Sequence, residues 1–296
     1  GLMVFGGVAV AENLSGEVDI AGSSTVYPIS TAVGEEFSRD NPRVQVAVKS
    51  TGTGGGFANF FTKGKTDIND ASRPIKQSEI DLCRENGIEP IEFTVAFDAI
   101  TVVVNPGADW INDLSVDQLA KIWRPDNPAK KWSDVNPDWP DETIELYGPT
   151  AASGTFDYFT EHIVGEEGSS RKDYQGTERD NTIVQAVSGS EYAMGYFGMS
   201  YYLQNKRRVK AVAINGVKPG MDTASSGKYT PLSRPLFIYV SENSLAEKEE
   251  VREFVDFYLN QTSTELISQI GYVPVSEKVK YENLYKLWKT IAESTK

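Results

Sequence analysis

A turn rich in hydroxyls and glycines, set between a short strand pattern and an amphipathic helix pattern, recurs along this chain and limits the folds open to it. The clearest copy is Gly148-Pro149-Thr150-Ala151-Ala152-Ser153-Gly154-Thr155-Phe156. The apolar run 144–147 ahead of it reads as a strand, and the segment behind it keeps an amphipathic pattern to about Val164. The first N–H groups of a helix have no acceptor inside it, and the helix dipole adds partial positive charge there, so such a turn offers donors to an anion. Ser153 and Thr155 add two hydroxyls. One hydroxyl-rich helix start is common, but four in one chain point to one ligand.

The other three copies follow from the chain in order. Residues 17–22 alternate as a strand ending at Gly22, then Ser23-Ser24-Thr25 leads to Pro28 and to Ile29, Val33 and Phe37 at helical spacing. A plain N-cap would need only one of these hydroxyls, so capping and ligand binding both stand as readings. Residues 44–48 form a second strand pattern, and Ser50-Thr51-Gly52-Thr53-Gly54-Gly55-Gly56 opens a helix carrying Phe57, Phe60 and Phe61. Glycines let backbone approach a ligand closely, and Thr53 supplies a hydroxyl. The nearby Gly64-Lys65-Thr66 is no Walker loop, because the glycine required five places earlier is Asn59. Residues 67–75 read as a third strand turning at Ser72, with Pro74 opening a helix through Ile80 and Leu82. Arg73 is either a surface cation or a fork for an oxyanion. The fourth start is Asp180-Asn181-Thr182.

Alternating strands and helices predict an α/β fold with mostly parallel sheets. Two long apolar strands, near 98–104 and 235–240, bracket a middle region the size of a domain. The expected organisation is two lobes, 12–98 plus 236–296 and 99–235, joined by two crossing strands with a ligand cleft between them. Trp110, Trp123, Trp132 and Trp139 alternate with Pro and Asp, as in a sugar cleft, but packing of small loops is the simpler reading.

Charge and rare residues remove whole classes of function. A net charge of −13 argues against nucleic acid or an anionic membrane surface as partner. One cysteine, Cys83, and one histidine, His162, leave no intrachain disulfide and no Cys or His metal cluster. Residues 1–11 are apolar and end in Ala9-Val10-Ala11, the small-x-small pattern of a signal-peptidase site, so they read as the tail of a secretory signal.

The ordered set Gly22-Ser23-Ser24-Thr25, Gly52-Thr53-Gly54-Gly55-Gly56, Asp67-Ile68 with Ala71-Ser72-Arg73, Ser153-Gly154-Thr155, Gly195-Tyr196-Phe197-Gly198 and Gly271-Tyr272-Val273-Pro274 resembles the phosphate-binding proteins of bacterial high-affinity phosphate ABC transporters. The resemblance implies a two-lobed type II periplasmic-binding-protein fold closing over one phosphate. By position, Ser24, Thr25, Thr53, Gly54, Ser72, Arg73, Ser153, Gly154 and Thr155 would contact its oxygens. It also implies a periplasmic monomer that serves a membrane permease, with no cofactor, no metal and no catalytic group.

Two departures from the family bear on selectivity. Many members have an Asp where this chain has Arg73, and that carboxylate accepts the proton of hydrogen phosphate; others carry Arg, as here. Many also have an Arg just before the Ser-Gly-Thr turn, where residues 149–152 offer no charge. One cation has thus moved between lobes, leaving Arg73 as the anion's main charged partner. The proton acceptor is then another group, with Asp70 and Asp157 as candidates by position. A binding protein for sulfate, molybdate or arsenate is the chemical alternative, and a secreted matrix or adhesion protein on the same fold is another. A serine hydrolase on Ser153 lacks the G-x-S-x-G elbow and would depend on His162, about two and a half turns further along the helix.

Overall fold

A computed structural model describes residues 14–177 and 179–294, so the expected signal segment 1–11 lies outside the described residues. The chain divides into two compact units. The first runs through Phe93 and includes Phe237–Gln261 and the residues from Lys280 onward; the second comprises Thr94–Leu236 and Thr262–Val279.

The first unit opens with β1 (Gly16–Gly22), α1 (Tyr27–Asp40), β2 (Val44–Ser50), α2 (Thr53–Asn59), β3 (Ile68–Ala71) and α3 (Gln77–Glu85), and β4 (Pro90–Val104) leads out of it. β1 pairs in parallel with β2 along its whole length and with β3 on its other side. α1 buries Ile29, Val33 and Phe37, the spacing expected of one helical face. Helix α3 begins at Gln77 rather than at Pro74. The Glu79 carboxylate accepts the Lys76 N–H at 2.9 Å and closes the helix start there, leaving Arg73 and Pro74 in the preceding bend.

The second unit contains β5 (Asp113–Leu114), α4 (Val116–Trp123), α5 (Trp132–Val135), β6 (Glu145–Gly148), α6 (Gly154–Phe159), β7 (Gln175–Gly176), α7 (Asp180–Gly189), β8 (Ala193–Gly198), α8 (Met199–Asn205), β9 (Lys210–Ala211), β10 (Ala213–Ile214), α9 (Met221–Ser225) and the start of β11 (Ser233–Ser241). In its main sheet β4 is antiparallel to β8 and to the short β9, β8 is parallel to β6, and β6 is parallel to β7. A single π turn, Thr160–Val164, extends α6. Trp123 and Trp132 are buried in the core and Trp110 and Trp139 pack against it: Trp110, Trp132 and Trp139 lie on one another with ring centroids 4.6–6.0 Å apart. Trp123 packs edge-on against Phe159 and Tyr196. These contacts bear out packing over a sugar cleft.

β11 re-enters the first unit at Phe237 and pairs antiparallel with β3. There α10 (Glu242–Glu247) and α11 (Glu249–Gln261) follow, with Phe254 of α11 set edge-on against Phe37 of α1 at 5.3 Å. Next come α12 (Glu265–Ile270) and α13 (Glu277–Ser294). The sequence reading placed all of 236–296 in the first lobe, and the structure corrects this for Thr262–Val279, which belong to the second unit. Paired backbone bonds between Phe97 and Val273, at 2.8 and 2.9 Å, and the Ser200 hydroxyl on Ser268 O tie that segment there. Val273 and Val275 join the second unit's core. The chain therefore passes between the units four times rather than twice, and the changeovers in β4 and β11 fall at 93/94 and 236/237.

Candidate ligand-binding site

Within the first unit, three strand ends bring together residues far apart in the sequence. Gly22 ends β1 at φ +140°, where a Cβ would overlap the Asp70 carbonyl oxygen. A Cβ at Gly56 would overlap Asn69 Oδ1 and come 2.7 Å from Gly22 Cα. Only glycine lets α2 sit this close to β1 and β3. The approach places Thr53, the first residue of α2, against Ser72: Thr53 Oγ1 accepts the Ser72 N–H at 3.1 Å and lies 3.3 Å from Ser72 Oγ.

Arg73 stands next to this pair, its Nη2 so placed that a Cβ on Gly54 would lie 3.4 Å away. Nη1 and Nη2 donate to the two carboxylate oxygens of Glu79 at 2.9 and 2.8 Å, and Nη1 also donates to Pro74 O at 3.0 Å. An arginine has five N–H donors, so Nε–H and the second Nη2–H form a remaining side-on fork. The guanidinium is 32% exposed and Glu79 only 13%. Burial alone would raise the Glu79 carboxyl, but the Arg73 and Lys76 hydrogen bonds outweigh it and hold Glu79 below its usual range. Arg73 is therefore a cation already paired on one edge.

The Ser23-Ser24-Thr25 turn is arranged differently from its sequence reading. Ser23, buried, accepts the N–H groups of Thr25 at 3.1 Å and Val26 at 3.4 Å on its hydroxyl. The Thr25 amide thus already has an acceptor, while the Ser24 side chain is exposed. Ser23 N–H donates to the Asp70 carbonyl at 2.9 Å. Asp70 itself is 1% exposed, takes the Ser30 hydroxyl on Oδ1 at 2.8 Å, and has Oδ2 buried without a partner. Burial pushes its carboxyl up to about 8. It is a neutral acid near pH 7, with no access for a ligand, and so a poor candidate for accepting a ligand's proton.

The second unit supplies the other group. Ser153 is the N-cap of α6, its hydroxyl accepting the Thr155 N–H at 3.2 Å. Ser153 and Thr155 line a cavity of about 160 Å³ with Thr150, Thr177 and Asp180. Gly154, exposed, has open space where a Cβ would stand. His162 Nδ1 lies 3.0 Å from Tyr158 O, which can only accept, so this nitrogen carries its proton inward and is not a base for Ser153.

Thr53, Gly54, Ser72 and Arg73 are thus assembled in one unit, and Ser153, Gly154 and Thr155 stand together in the other. Sequence reasoning named Ser23 within the first turn but did not give it the capping role, although a serine two residues before Thr25 is a usual hydroxyl-turn signal. It missed Glu79, which a capping role at the third helical position would have flagged, and Thr177; Thr150 and Asp180 stood in turns the sequence marked, but nothing local showed that they line one cavity with Ser153.

Comparison with known proteins adds the following. Residues 8–262 match the PBP superfamily domain. The chain is 46% identical over 270 residues to Protein SphX of Synechocystis, covering 89% of this chain and 80% of that protein. It is 38% identical over 290 residues to the phosphate-binding protein PstS of Staphylococcus haemolyticus, covering 96% and 89% of the two. A solved structure of a possible phosphate binding protein from Planctomyces limnophilus superposes with a TM-score of 0.83 at 43% identity, over 96% of this chain and 100% of that one.

Proposed function

This chain belongs to the PBP superfamily and, within it, to the family that holds the PstS phosphate-binding proteins, and we propose on that premise that it captures inorganic phosphate and delivers it to an ABC transporter. The observation that carries the proposal is the meeting of Thr53, Gly54, Ser72 and the free side of the Arg73 fork at one point. Hydroxyls, amides and one guanidinium are the donors that a tetrahedral oxyanion needs. In the second unit, Ser153, Gly154 and Thr155 supply a set of the same chemistry.

The protein acts outside the cytoplasm, in the periplasm, as a monomer, and hands phosphate to a membrane permease. No helix among the described residues is long and apolar enough to cross a membrane. The proposed role is binding without catalysis; the Ser153 hydroxyl serving as a helix cap and His162 Nδ1 bonding its own helix support this reading. Calorimetric titration with phosphate, alone and in excess sulfate, tests the reading. One-to-one binding that sulfate does not displace is the expected result. Displacement by sulfate would make this a general oxyanion receptor, and no binding of either would end the proposal.

A further inference from the structure

A cavity of about 530 Å³ opens in the second unit at a place the phosphate reading does not use. Four cations line it: Lys206 and Arg207, which follow the end of α8, Lys210 in β9, and Lys218 in the turn after β10. No described carboxylate does, although the chain has 42 acidic residues against 29 lysines and arginines. The C-terminal end of a helix favours cations, which is reason enough for Lys206 and Arg207 by themselves. It is no reason for Lys210 and Lys218, which come from a strand and a turn.

Lys206, Arg207 and Lys218 are exposed, and their side chains have no hydrogen-bond or ion-pair partner among the described residues. Lys210 is partly buried and fixed in place: its ammonium donates to Ala108 O and, at 3.3 Å, to Asn112 Oδ1, both neutral. Burial pulls that ammonium below its usual range, and the one carboxylate that acts on it, Asp109, only partly offsets the effect. Like charges gathered around one concavity repel one another, and the field they focus there attracts an anion.

We propose that this cavity binds a condensed phosphate, a chain of phosphoryl groups linked through oxygen, either free or as the tail of a nucleotide. The space is about three times that of the cavity beside Ser153, which is about 160 Å³, and it suits a small molecule of several linked groups. Every link of a condensed phosphate carries charge, and its oxygens accept from guanidinium and ammonium groups alike. An acidic peptide suits the space less, because its carboxylates point alternately to opposite sides and its backbone amides need partners of their own. The Tyr202 ring also lines the cavity and is the surface on which a nucleotide's base would stack. The proposal stands apart from the phosphate reading, since none of the residues assigned to phosphate lines this cavity.

The test is calorimetric titration of the full chain with sodium tripolyphosphate, and separately with ATP, in buffer holding excess orthophosphate. Tripolyphosphate should bind one to one despite the orthophosphate, and Lys206→Gln with Lys218→Gln should weaken it roughly tenfold or more. Both side chains are exposed and unpaired, so their loss should leave the unfolding midpoint unchanged. Lys63→Gln with Lys65→Gln removes the same charge from exposed positions of the first unit and should leave the affinity within about twofold. ATP bound at least as tightly as tripolyphosphate would identify a nucleotide tail, and ATP bound more weakly a free chain. Absence of tripolyphosphate binding overturns the proposal, and so does its displacement by orthophosphate. An equal loss in the two double variants would also overturn it, by showing a dependence on overall charge alone.

Discussion

Replacing Arg73 by alanine should weaken phosphate binding by about 4 kcal/mol, roughly a thousandfold, and part of that loss should return when Glu79 is neutralised as well. The figure has two parts. The side-on fork of Arg73 offers two charge-assisted hydrogen bonds, each worth about 1.5 kcal/mol net, so removing it costs about 3 kcal/mol. The second part comes from Glu79, which pairs with the opposite edge of the guanidinium at 2.8 and 2.9 Å. With the guanidinium gone, its carboxylate faces the anion across about 7 Å; at an effective dielectric of about 40, between surface and bulk values, one unit charge then repels by about 1 kcal/mol. The intermediate dielectric is appropriate because Arg73 is 32% exposed while Glu79 is only 13% exposed. Arg73→Ala with Glu79→Gln should therefore bind phosphate about fivefold tighter than Arg73→Ala alone. Glu79→Gln by itself should bind phosphate at least as tightly as the wild type. Calorimetric phosphate titration of the four proteins closes the cycle. Binding by Arg73→Ala within threefold of wild type would show that the fork does not touch the anion. A double variant no better than Arg73→Ala would refute the repulsion.

Three further outcomes follow from the same contacts. Thr53→Val leaves the Ser72 N–H without its acceptor and should lower stability by about 1–2 kcal/mol, read by denaturant unfolding without ligand; an unchanged midpoint would mean that the 3.1 Å bond contributes nothing. Gly154→Ala places a methyl in open space at a helix start, so stability should hold or rise slightly while phosphate affinity falls; unchanged affinity would remove Gly154 from the contact set. Asp70 makes stability depend on pH: its folded value, about 8, lies above the ordinary 3.8, so the folded state holds more protons in between. Its contribution is complete below about pH 4 and is lost as pH rises towards 8, by at most about 1.4 kcal/mol per pH unit, and Asp70→Asn should flatten that slope in unfolding curves taken at pH 5 and pH 8. Identical slopes in the two proteins would mean that Asp70 is ionised in the fold.

What the sequence determined by itself is the part governed by short-range hydrogen bonding and periodicity. The Ser153 cap on the Thr155 N–H joins residues two apart, so a hydroxyl-rich helix start is visible in the spacing alone. The buried face of α1 and the long apolar strands β4 and β11 were legible in the same way, because burial imposes the period of the element. The tertiary structure decided everything that depends on which strand end meets which. Thr53 and Ser72 are 19 residues apart and meet because Gly56 lets α2 approach β1 and β3. The placement of Thr262–Val279 rests on the Phe97–Val273 pairing, which no local pattern announces. Asp180 and Ser153 line one cavity because β6 and β8 run side by side, with α6 following β6 and α7 preceding β8. The state of Asp70 was hidden for the same reason: a carboxyl keeps its proton according to how much water and charge the fold leaves around it, and neither quantity is a property of neighbouring letters.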